Sequence, residues 1–253
     1  MIRYSDTVQN QVGSSEFLKT KIPLAIAAVV MFFAAAALPQ QATAQVSFGA
    51  DVMSRYVWRG FDFGNAVSVQ PSLSYSKGGF EIGSWASYGI GSQSVGASEH
   101  DLWVGYGVDL GEGSSIGFGV TDYYFPNGGV GFFDFSDDGG AHQIEPYVSY
   151  TGPSSLPISI WFSIFVHNEP DNAAYAEVSY PVMVSETELS LTAGIAPFES
   201  AFYANPDGPA VTNLSLSASR TAEITDSFSI PFSISYVLNP HQEVSYLLFG
   251  FSL

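Results

Sequence analysis

The feature that most constrains this chain is a two-residue alternation of apolar and polar side chains, repeated along most of its length. In the first run, Val46, Phe48, Ala50 and Val52 share one parity, and small or polar residues occupy the other. A period of two is typical of a β-strand, whose successive side chains point to opposite faces. Such runs cover 46–58, 67–76, 80–90, 102–110, 116–124, 144–150, 158–166, 174–184, 189–195, 214–218, 228–236 and 247–253. They predict about twelve strands of roughly ten residues, long enough to cross a bilayer when tilted.

The polar parity of these runs is unlike the surface of a soluble protein. It consists mostly of Gly, Ser and Thr with isolated charges. Only 12% of the chain is charged, compared with about a quarter of a typical soluble domain. We therefore expect the apolar face to contact lipid and the polar face to line a lumen. A soluble β-protein of the periplasm, with its apolar face inside, is the alternative.

The connections between the runs alternate in length. The longer ones are 60–66, 91–98, 126–141, 169–172, 198–210 and 239–243, and the tight turns include 77–79, 111–113 and 185–187. Tight turns at one end and long loops at the other are typical of outer-membrane barrels. The fold class predicted is therefore all-β: a transmembrane, antiparallel, up-and-down β-barrel of about twelve strands, with both termini at the short-turn end.

Aromatic side chains are expected to form two girdles on the apolar face, where the bilayer meets water. The long-loop girdle would contain Tyr56, Trp58, Tyr88, Tyr124 and Tyr236, and the short-turn girdle Phe48, Tyr75, Phe80, Tyr150, Tyr180 and Phe251. Pro71, Pro146, Pro181 and Pro231 fall inside strand runs. Because proline cannot donate to a strand ladder, we expect bulges or shifted strand boundaries there.

Residues 1–44 have the pattern of a cleavable signal peptide. Lys19 and Lys21 precede an uncharged apolar run over 24–38, and Ala42-Thr43-Ala44 is a small-x-small cleavage site. The alternative is a membrane-spanning helix, but the apolar run is shorter than the ~20 residues that such a helix needs. We therefore expect an exported protein with one barrel domain over 45–253.

Charge and cysteine content exclude several classes of function. The chain has 24 acidic and 7 basic residues and a net charge of −17, with no Lys/Arg cluster to neutralise phosphates, so we expect no nucleic-acid partner. The absence of cysteine excludes disulfides, thiolate metal sites and thiol nucleophiles.

Several blocks resemble known outer-membrane proteins. At the C-terminus, Leu247, Phe249, Phe251 and Leu253 share one face, which resembles the signal that the outer-membrane insertion machinery recognises, although that signal usually ends in an aromatic residue. The segments 54–60, 70–73, 83–87, 99–102 and 122–124 resemble TorF-type porins of Gram-negative bacteria, a likeness that extends over about residues 46–126. The resemblance implies a signal-bearing outer-membrane barrel with a porin role and no catalytic residues.

The inward parity supplies the residues expected to line the pore. Arg55 and Arg59 fall on it in the first run, about 13 Å apart at ~3.3 Å per residue. Gln70 and four carboxylates share the inward parity on other runs: Glu81, Asp101, Glu145 and Glu177. We expect a lumenal network in which the arginines neutralise part of an acidic lining. It either tunes ion passage or only braces the barrel wall.

Aromatic residues also fall on the inward parity, namely Trp85, Trp103, Tyr147 and Trp161. Inward aromatics either stack against sugars or fill a narrow lumen. A barrel of about twelve strands is intermediate between filled eight-strand barrels and open sixteen-strand porins, and this size favours a filling role.

Two further patterns were candidates for metal binding or catalysis. Residues 134–145 have the oxygen spacing of a calcium loop, with Gly139 at the sixth position, but no helices flank it and an acidic exterior loop fits as well. His100, His142, His167 and His241 show no catalytic or metal-binding motif, and His100 and Asp101, as neighbours on a strand, face opposite sides. We expect no catalytic residue, no metal and no cofactor.

These patterns predict a diffusion channel in the outer membrane of a Gram-negative bacterium. Its partners would be the lipid bilayer, the insertion machinery and the small hydrophilic solutes or ions that pass through it, with a weak preference for cations because carboxylates outnumber arginines. The alternative is a closed barrel that acts through its exterior loops as a receptor, adhesin or structural element. A lipid-modifying barrel enzyme is a third hypothesis.

Overall fold

The structure is a computed structural model that describes residues 44–91 and 98–253. The predicted signal peptide, apart from its last residue, lies outside these ranges. The strands are β1 (Gln45–Met53), β2 (Tyr56–Trp58), β3 (Phe61–Gly64), β4 (Ser68–Lys77), β5 (Phe80–Gly89), β6 (Glu99–Gly111), β7 (Ser114–Tyr124), β8 (His142–Thr151), β9 (Ser159–Ile164), β10 (Ala174–Val184), β11 (Thr187–Ala196), β12 (Ala210–Thr225), β13 (Phe228–Asn239) and β14 (Val244–Ser252). Among the described residues, no helix is long and apolar enough to span a membrane.

A closed barrel contains all of these strands except β2 and β3. Each strand from β4 to β14 pairs antiparallel with the next, and β1 pairs with β4 on one side and β14 on the other. The closing ladder is short, joining residues 51–53 to 250–252, and backbone hydrogen bonds of 3.1 and 2.9 Å between Ala50 and Leu253 extend it. This confirms the predicted all-β antiparallel barrel of twelve strands.

The connection between β1 and β4 folds into a small hairpin, formed by β2 and β3. We call residues 54–66 the lumen hairpin. The chain leaves the barrel wall at Ser54, which donates its N–H to Phe249 O at 2.8 Å and accepts a hydrogen bond from Phe249 N at its hydroxyl. Arg59 and Gly60, both with positive φ (52° and 85°), make the turn at the tip. The prediction of one continuous strand over 46–58 was therefore wrong.

The predicted alternation of connection lengths is confirmed. The connections 54–67, 125–141, 165–173, 197–209 and 240–243 lie at one end, which we call the long-loop end, and the described residues 90–91 and 98 of the connection between β5 and β6 lie at the same end. At the other, short-turn end are 78–79, 112–113, 152–158, 185–186 and 226–227. The exception is 152–158, which is longer than 240–243.

The four strand prolines cause no bulges. Each has a residue paired opposite it on one neighbouring strand: Pro71 with Ala50, Pro146 with Val120, Pro181 with Ser190 and Pro231 with Thr221. On the opposite side of each proline the strand pairing is interrupted. The pairing of β4 with β5 skips Pro71, and the corresponding ladders of β8, β10 and β13 begin or end one or two residues away from Pro146, Pro181 and Pro231. The missing N–H of each proline therefore falls where no ladder hydrogen bond is made. Of the two expected effects, bulges and shifted boundaries, only shifted boundaries are found.

The outer face of the barrel is apolar, as the alternation predicts. Large exposed side chains follow one parity of each strand and include Leu73, Ile82, Leu102, Val104, Val148, Phe162, Val178, Leu191, Leu216, Ile234 and Phe249. Among the predicted girdle residues, Phe48, Tyr75, Phe80, Tyr88, Tyr180 and Tyr236 are exposed, and Tyr124, Tyr150 and Phe251 are half-buried. Tyr56 and Trp58 do not belong to a girdle, because they lie in the lumen hairpin.

Candidate functional site

The lumen hairpin crosses the barrel interior at the long-loop end. Its residues reach most strands of the barrel wall. Tyr56 contacts Trp85 of β5 and Glu99 of β6, and Trp58 contacts Tyr123 of β7. Arg59 contacts Glu145 of β8, Ser163 of β9 and Tyr175 of β10, Gly60 contacts Thr212 of β12 and Asn239 of β13, and Arg55 contacts Tyr246 of β14. A segment that touches the wall on so many sides obstructs the lumen at this end.

Arg59 at the tip of the lumen hairpin forms the central contact. Its Nη1 and Nη2 donate to Oε1 and Oε2 of Glu145 at 2.7 and 2.9 Å, a bidentate pairing. The same guanidinium donates to the Tyr203 hydroxyl at 2.7 Å and to Ser163 Oγ at 3.0 Å. The Glu145 side chain is fully buried, and it also accepts a hydrogen bond from Tyr123 at 2.8 Å. All of these polar groups are thereby satisfied inside the barrel.

The protonation states of the loop residues suit this network. Burial alone would lower the pKa of Arg59, but Tyr203 and Glu145 raise the pKa above its usual value, so the guanidinium stays charged. Burial raises the pKa of Tyr203 to about 12, against the opposing effect of Arg59. Burial, together with Glu99, also raises the pKa of Tyr56 well above its usual value. Both phenols are therefore neutral near pH 7.

An aromatic cluster surrounds the Arg59 network. The guanidinium lies over the rings of Trp58 and Tyr175, at 3.9 and 4.5 Å from their centroids. The buried members of the cluster are Tyr123, Phe165, Ala173, Tyr175, Ala196 and Tyr203, with Trp58, Phe61, Phe125, Trp161 and Phe202 packed against them. The long-loop end of the lumen is thus filled by apolar rings around one buried ion pair.

A cavity of about 550 Å³ lies against the lumen hairpin inside the barrel. The wall residues that line it include several predicted pore-lining residues, namely Trp85, Asp101, Trp103, Trp161 and Glu177, and the hairpin contributes Tyr56, Val57, Trp58 and Arg59. A second cavity of about 200 Å³, lined by Ser149, Thr151, Ser159 and Ser179 among others, shares Trp161 and Glu177 with the first. The interior is therefore obstructed by the hairpin at the long-loop end and hollow below it.

The remaining inward candidates lie on the barrel wall in local contacts. Glu81 is exposed and accepts a hydrogen bond from Trp103 Nε1 at 2.8 Å. Tyr147 stacks on Trp161 with 4.0 Å between ring centroids. Gln70 is buried and donates to Ser68 Oγ at 3.0 Å.

The two arginines are placed differently from the prediction. They do not lie along one strand, because β1 ends at Met53 and both belong to the lumen hairpin. Arg55 pairs with Asp62 at 3.1 Å within the hairpin and also donates to Asn65. Only Arg59 meets one of the predicted carboxylates, Glu145, so the lumenal network exists in part and is carried by the hairpin instead of the wall.

Sequence reasoning missed several residues of the site. Ser163 and Tyr175 share the inward parity with Trp161 and Glu177, so the alternation could have identified them. Tyr203 lies in the 197–209 loop, where no periodicity applies. Its contact with Arg59 joins residues 144 positions apart and follows only from the inward folding of the hairpin.

Two of the four histidines pair with a carboxylate: His167 Nδ1 lies 3.2 Å from Asp137 Oδ1 in the exterior loops, and His142 pairs with Asp122. His142 is buried, with Nδ1 at 2.8 Å from Asp122 Oδ1 and Nε2 at 2.5 Å from the carbonyl oxygen of Phe132, and Phe135 stacks on its ring. Both ring nitrogens are thus occupied, and neither contacts a hydroxyl. As predicted, His100 and Asp101 face opposite sides: His100 contacts Tyr88 on the outer face, and Asp101 faces the cavity.

The calcium-loop residues are not brought together. Asp134 accepts hydrogen bonds from N and Oγ of Ser136, which hold its pKa below the usual value. Asp137 accepts from the N–H of Asn168, and Glu145 lies in the barrel wall against Arg59. Across residues 44–91 and 98–253, no group of three or more metal-ligating side chains is found.

The chain was compared with known families and proteins. A family model described as a bacterial protein of unknown function (Gcw_chp) matches residues 34–246. No curated protein matches the chain.

Proposed function

The chain belongs to the bacterial family Gcw_chp, whose function is unknown, and we propose that it is an outer-membrane channel that the lumen hairpin gates. Small hydrophilic solutes or ions would pass by diffusion when the hairpin leaves the lumen. An expected signal peptide over 1–44 and an apolar outer face support export and insertion into the outer membrane. The resemblance of residues 46–126 to TorF-type porins supports a porin role.

The observation that carries this proposal is the polarity of the contact between hairpin and wall. Arg59 and Glu145 form a buried ion pair, although well-packed apolar residues of similar volume are often as stable or more stable in such positions. The wall beneath the hairpin is also hydrophilic, with buried side chains of Glu99, Asp101, Glu145, Ser163, Thr212, Asn213 and Asn239. A wall of this composition can be hydrated when the hairpin moves, whereas a permanent filling would not require it.

The charge of that wall determines the expected selectivity. With the hairpin withdrawn, Arg59 leaves Glu145, and Glu81, Asp101 and Glu177 remain on the barrel wall. Acidic side chains along a pore favour cations. The open channel is therefore expected to prefer cations more strongly than the sequence alone suggested, because the hairpin removes its arginines from the lumen.

A permanently closed barrel is the second candidate. The aromatic cluster favours it, because the ring contacts of Trp58, Phe61 and Phe202 stabilise the docked hairpin in addition to the ion pair. Such a protein would act through its long loops as a receptor, adhesin or structural element. Neither candidate assigns a catalytic role to the chain, so an enzyme is the least favoured hypothesis.

Conductance in a planar bilayer separates the two candidates. The protein is expressed from the full chain and purified, and its N-terminus is determined, with Gln45 expected as the first residue. It is compared with a variant in which 55–65 are replaced by a short Gly-Ser linker. We expect brief, rare openings of the wild type, long openings of the variant, and a cation-selective reversal potential. A wild type that stays silent although a heat-shifted gel band shows it folded, beside a variant that conducts, would support the permanently closed barrel. Silence of a folded variant would contradict the channel itself.

A further inference from the structure

The cavity below the lumen hairpin is lined by all the tryptophans of the chain. The sequence contains 4 tryptophans, and Trp58, Trp85, Trp103 and Trp161 all line this cavity. Each is held by a neighbour: Trp58 packs on Tyr123, Trp85 packs on Tyr56, Trp103 donates to Glu81, and Trp161 stacks on Tyr147. A hollow walled by indole rings in fixed positions is the arrangement with which proteins surround organic ammonium groups.

Two carboxylates in the same cavity have no cationic partner. The only basic residue of its lining is Arg59, whose guanidinium is occupied by Glu145, Tyr203 and Ser163. Asp101 is 9% exposed, and its buried Oδ1 has no hydrogen-bond partner among the described residues. The hydrogen bonds that Glu177 accepts from Tyr175 and Asn213 both end on Oε2. None of the ion pairs in the described part of the chain includes Asp101 or Glu177.

We propose that this cavity binds a small organic cation, with its ammonium group near Asp101 and Glu177 and its alkyl groups against the tryptophan rings. A cavity of about 550 Å³ is within the range of small-molecule sites. The exposed Glu81, toward the short-turn end, marks the side from which the cation would enter while the hairpin is docked. The inference names a solute class for the channel, and to that extent it rests on the proposed function.

A neutral sugar is the competing ligand, because aromatic rings also stack on sugars. The acidic groups favour a cation: Glu177 is half-buried, buried Asp101 lies beside Glu99, and the one basic residue of the lining is already paired with Glu145. A bound cation would supply the counter-charge that this side of the cavity lacks. The single pair of Arg59 and Glu145 does not alter this balance, because its charges neutralise each other.

Tryptophan fluorescence tests the inference on the folded protein in detergent, with the hairpin in place. The probe is choline, and its control is 3,3-dimethylbutan-1-ol, which has the same shape without the charge. We expect choline to change the emission in a saturable way, and the neutral alcohol to bind at least about tenfold more weakly. Equal binding of both compounds, binding of glucose without choline, or no response to choline would each overturn the inference.

Variants locate the cation. Asp101→Asn and Glu177→Gln keep the shape of the side chain and remove its charge, and each is expected to weaken choline binding about tenfold. Glu188→Gln is the matched control, because Glu188 is an exposed carboxylate of β11 outside the cavity lining. Unchanged affinity in both cavity variants would refute the assignment. Because binding is measured without current, a failed binding test and a silent bilayer are separate results.

Discussion

Arg59 and Glu145 are 86 residues apart in the sequence, and their side chains form two parallel hydrogen bonds of 2.7 and 2.9 Å inside the barrel. One partner lies at the tip of the lumen hairpin and the other on the wall strand β8. The pair is therefore a direct link between a segment that has left the barrel sheet and a strand within that sheet. The account of this protein as a gated barrel depends on that link.

Loss of the buried charge at Glu145 is expected to release the lumen hairpin. In Glu145→Gln, Arg59 remains charged without its counter-ion, and breaking a buried pair in this way typically costs about 3–5 kcal/mol. The basic residues of 45–253 are Arg55, Arg59, Lys77 and Arg220, so trypsin cleavage in the hairpin reports its exposure. We expect cleavage after Arg55 and Arg59 to accelerate about tenfold or more.

The matched control for this digestion is Glu188→Gln, which changes an exposed carboxylate of β11 that is not among the hairpin contacts described above. It should be cleaved at the wild-type rate. If Glu145→Gln were as resistant as the wild type at the hairpin arginines, the ion pair would not hold the hairpin in place.

Hairpin docking is expected to weaken at high pH. The pKa of Tyr203 is raised to about 12 in the folded protein, whereas an exposed phenol ionises near pH 10. The docked state holds the phenol proton more tightly than the undocked state. The contribution of Tyr203 to the stability of the docked hairpin is therefore complete below pH 10 and is lost as the pH rises from 10 to 12. Channel open probability should therefore rise as the pH increases from 10 to 12.

Tyr203→Phe separates this effect from others, because its phenyl ring fills the same space without ionising. The variant should show a smaller rise between pH 10 and 12. Identical pH profiles of the two proteins would show that Tyr203 does not couple docking to pH.

The orientation of the barrel faces is tested by neighbouring substitutions on β11. Leu191 is 54% exposed on the outer face, whereas Thr192 contacts Ser179 on the inner face at 3.0 Å. Arginine at a lipid-facing position near the bilayer centre costs about 2–4 kcal/mol. Leu191→Arg should therefore lower the urea midpoint of the vesicle-inserted protein far more than Thr192→Arg. Equal midpoints would contradict an outer face in contact with lipid.

The barrel could be predicted from sequence because its information is local and repeated. Each strand carries its own two-residue alternation, and errors at single boundaries, such as the short prediction of 214–218 for β12 (Ala210–Thr225), do not change the topology. Inward residues such as Glu145, Trp161 and Glu177 were identified for the same reason. Their parity depends only on the strand to which they belong.

The lumen hairpin could not be predicted, because the alternation continues through it. Tyr56 and Trp58 keep the parity of β1 and were assigned to the outer face, although a bend at Ser54 removes them from the wall. The two-residue alternation predicts to which face of a strand a side chain points. It does not indicate whether the strand remains part of the barrel sheet. The contacts of Arg59 with Glu145 and Tyr203 depend on that bend, so the obstruction of the lumen was missed as well.

The most direct test of the gate is a single-channel comparison of two glycine variants in the same hairpin. A Cβ at Gly60, which has a φ of 85°, would lie 1.8 Å from the backbone oxygen of Thr212, so Gly60→Ala cannot dock as the wild type does. At Gly64 the nearest atom to such a Cβ is Tyr56 Cβ at 3.9 Å, and Gly64→Ala should dock normally. We predict long openings of Gly60→Ala and wild-type closure of Gly64→Ala. A folded Gly60→Ala that stays closed like the wild type would contradict the account.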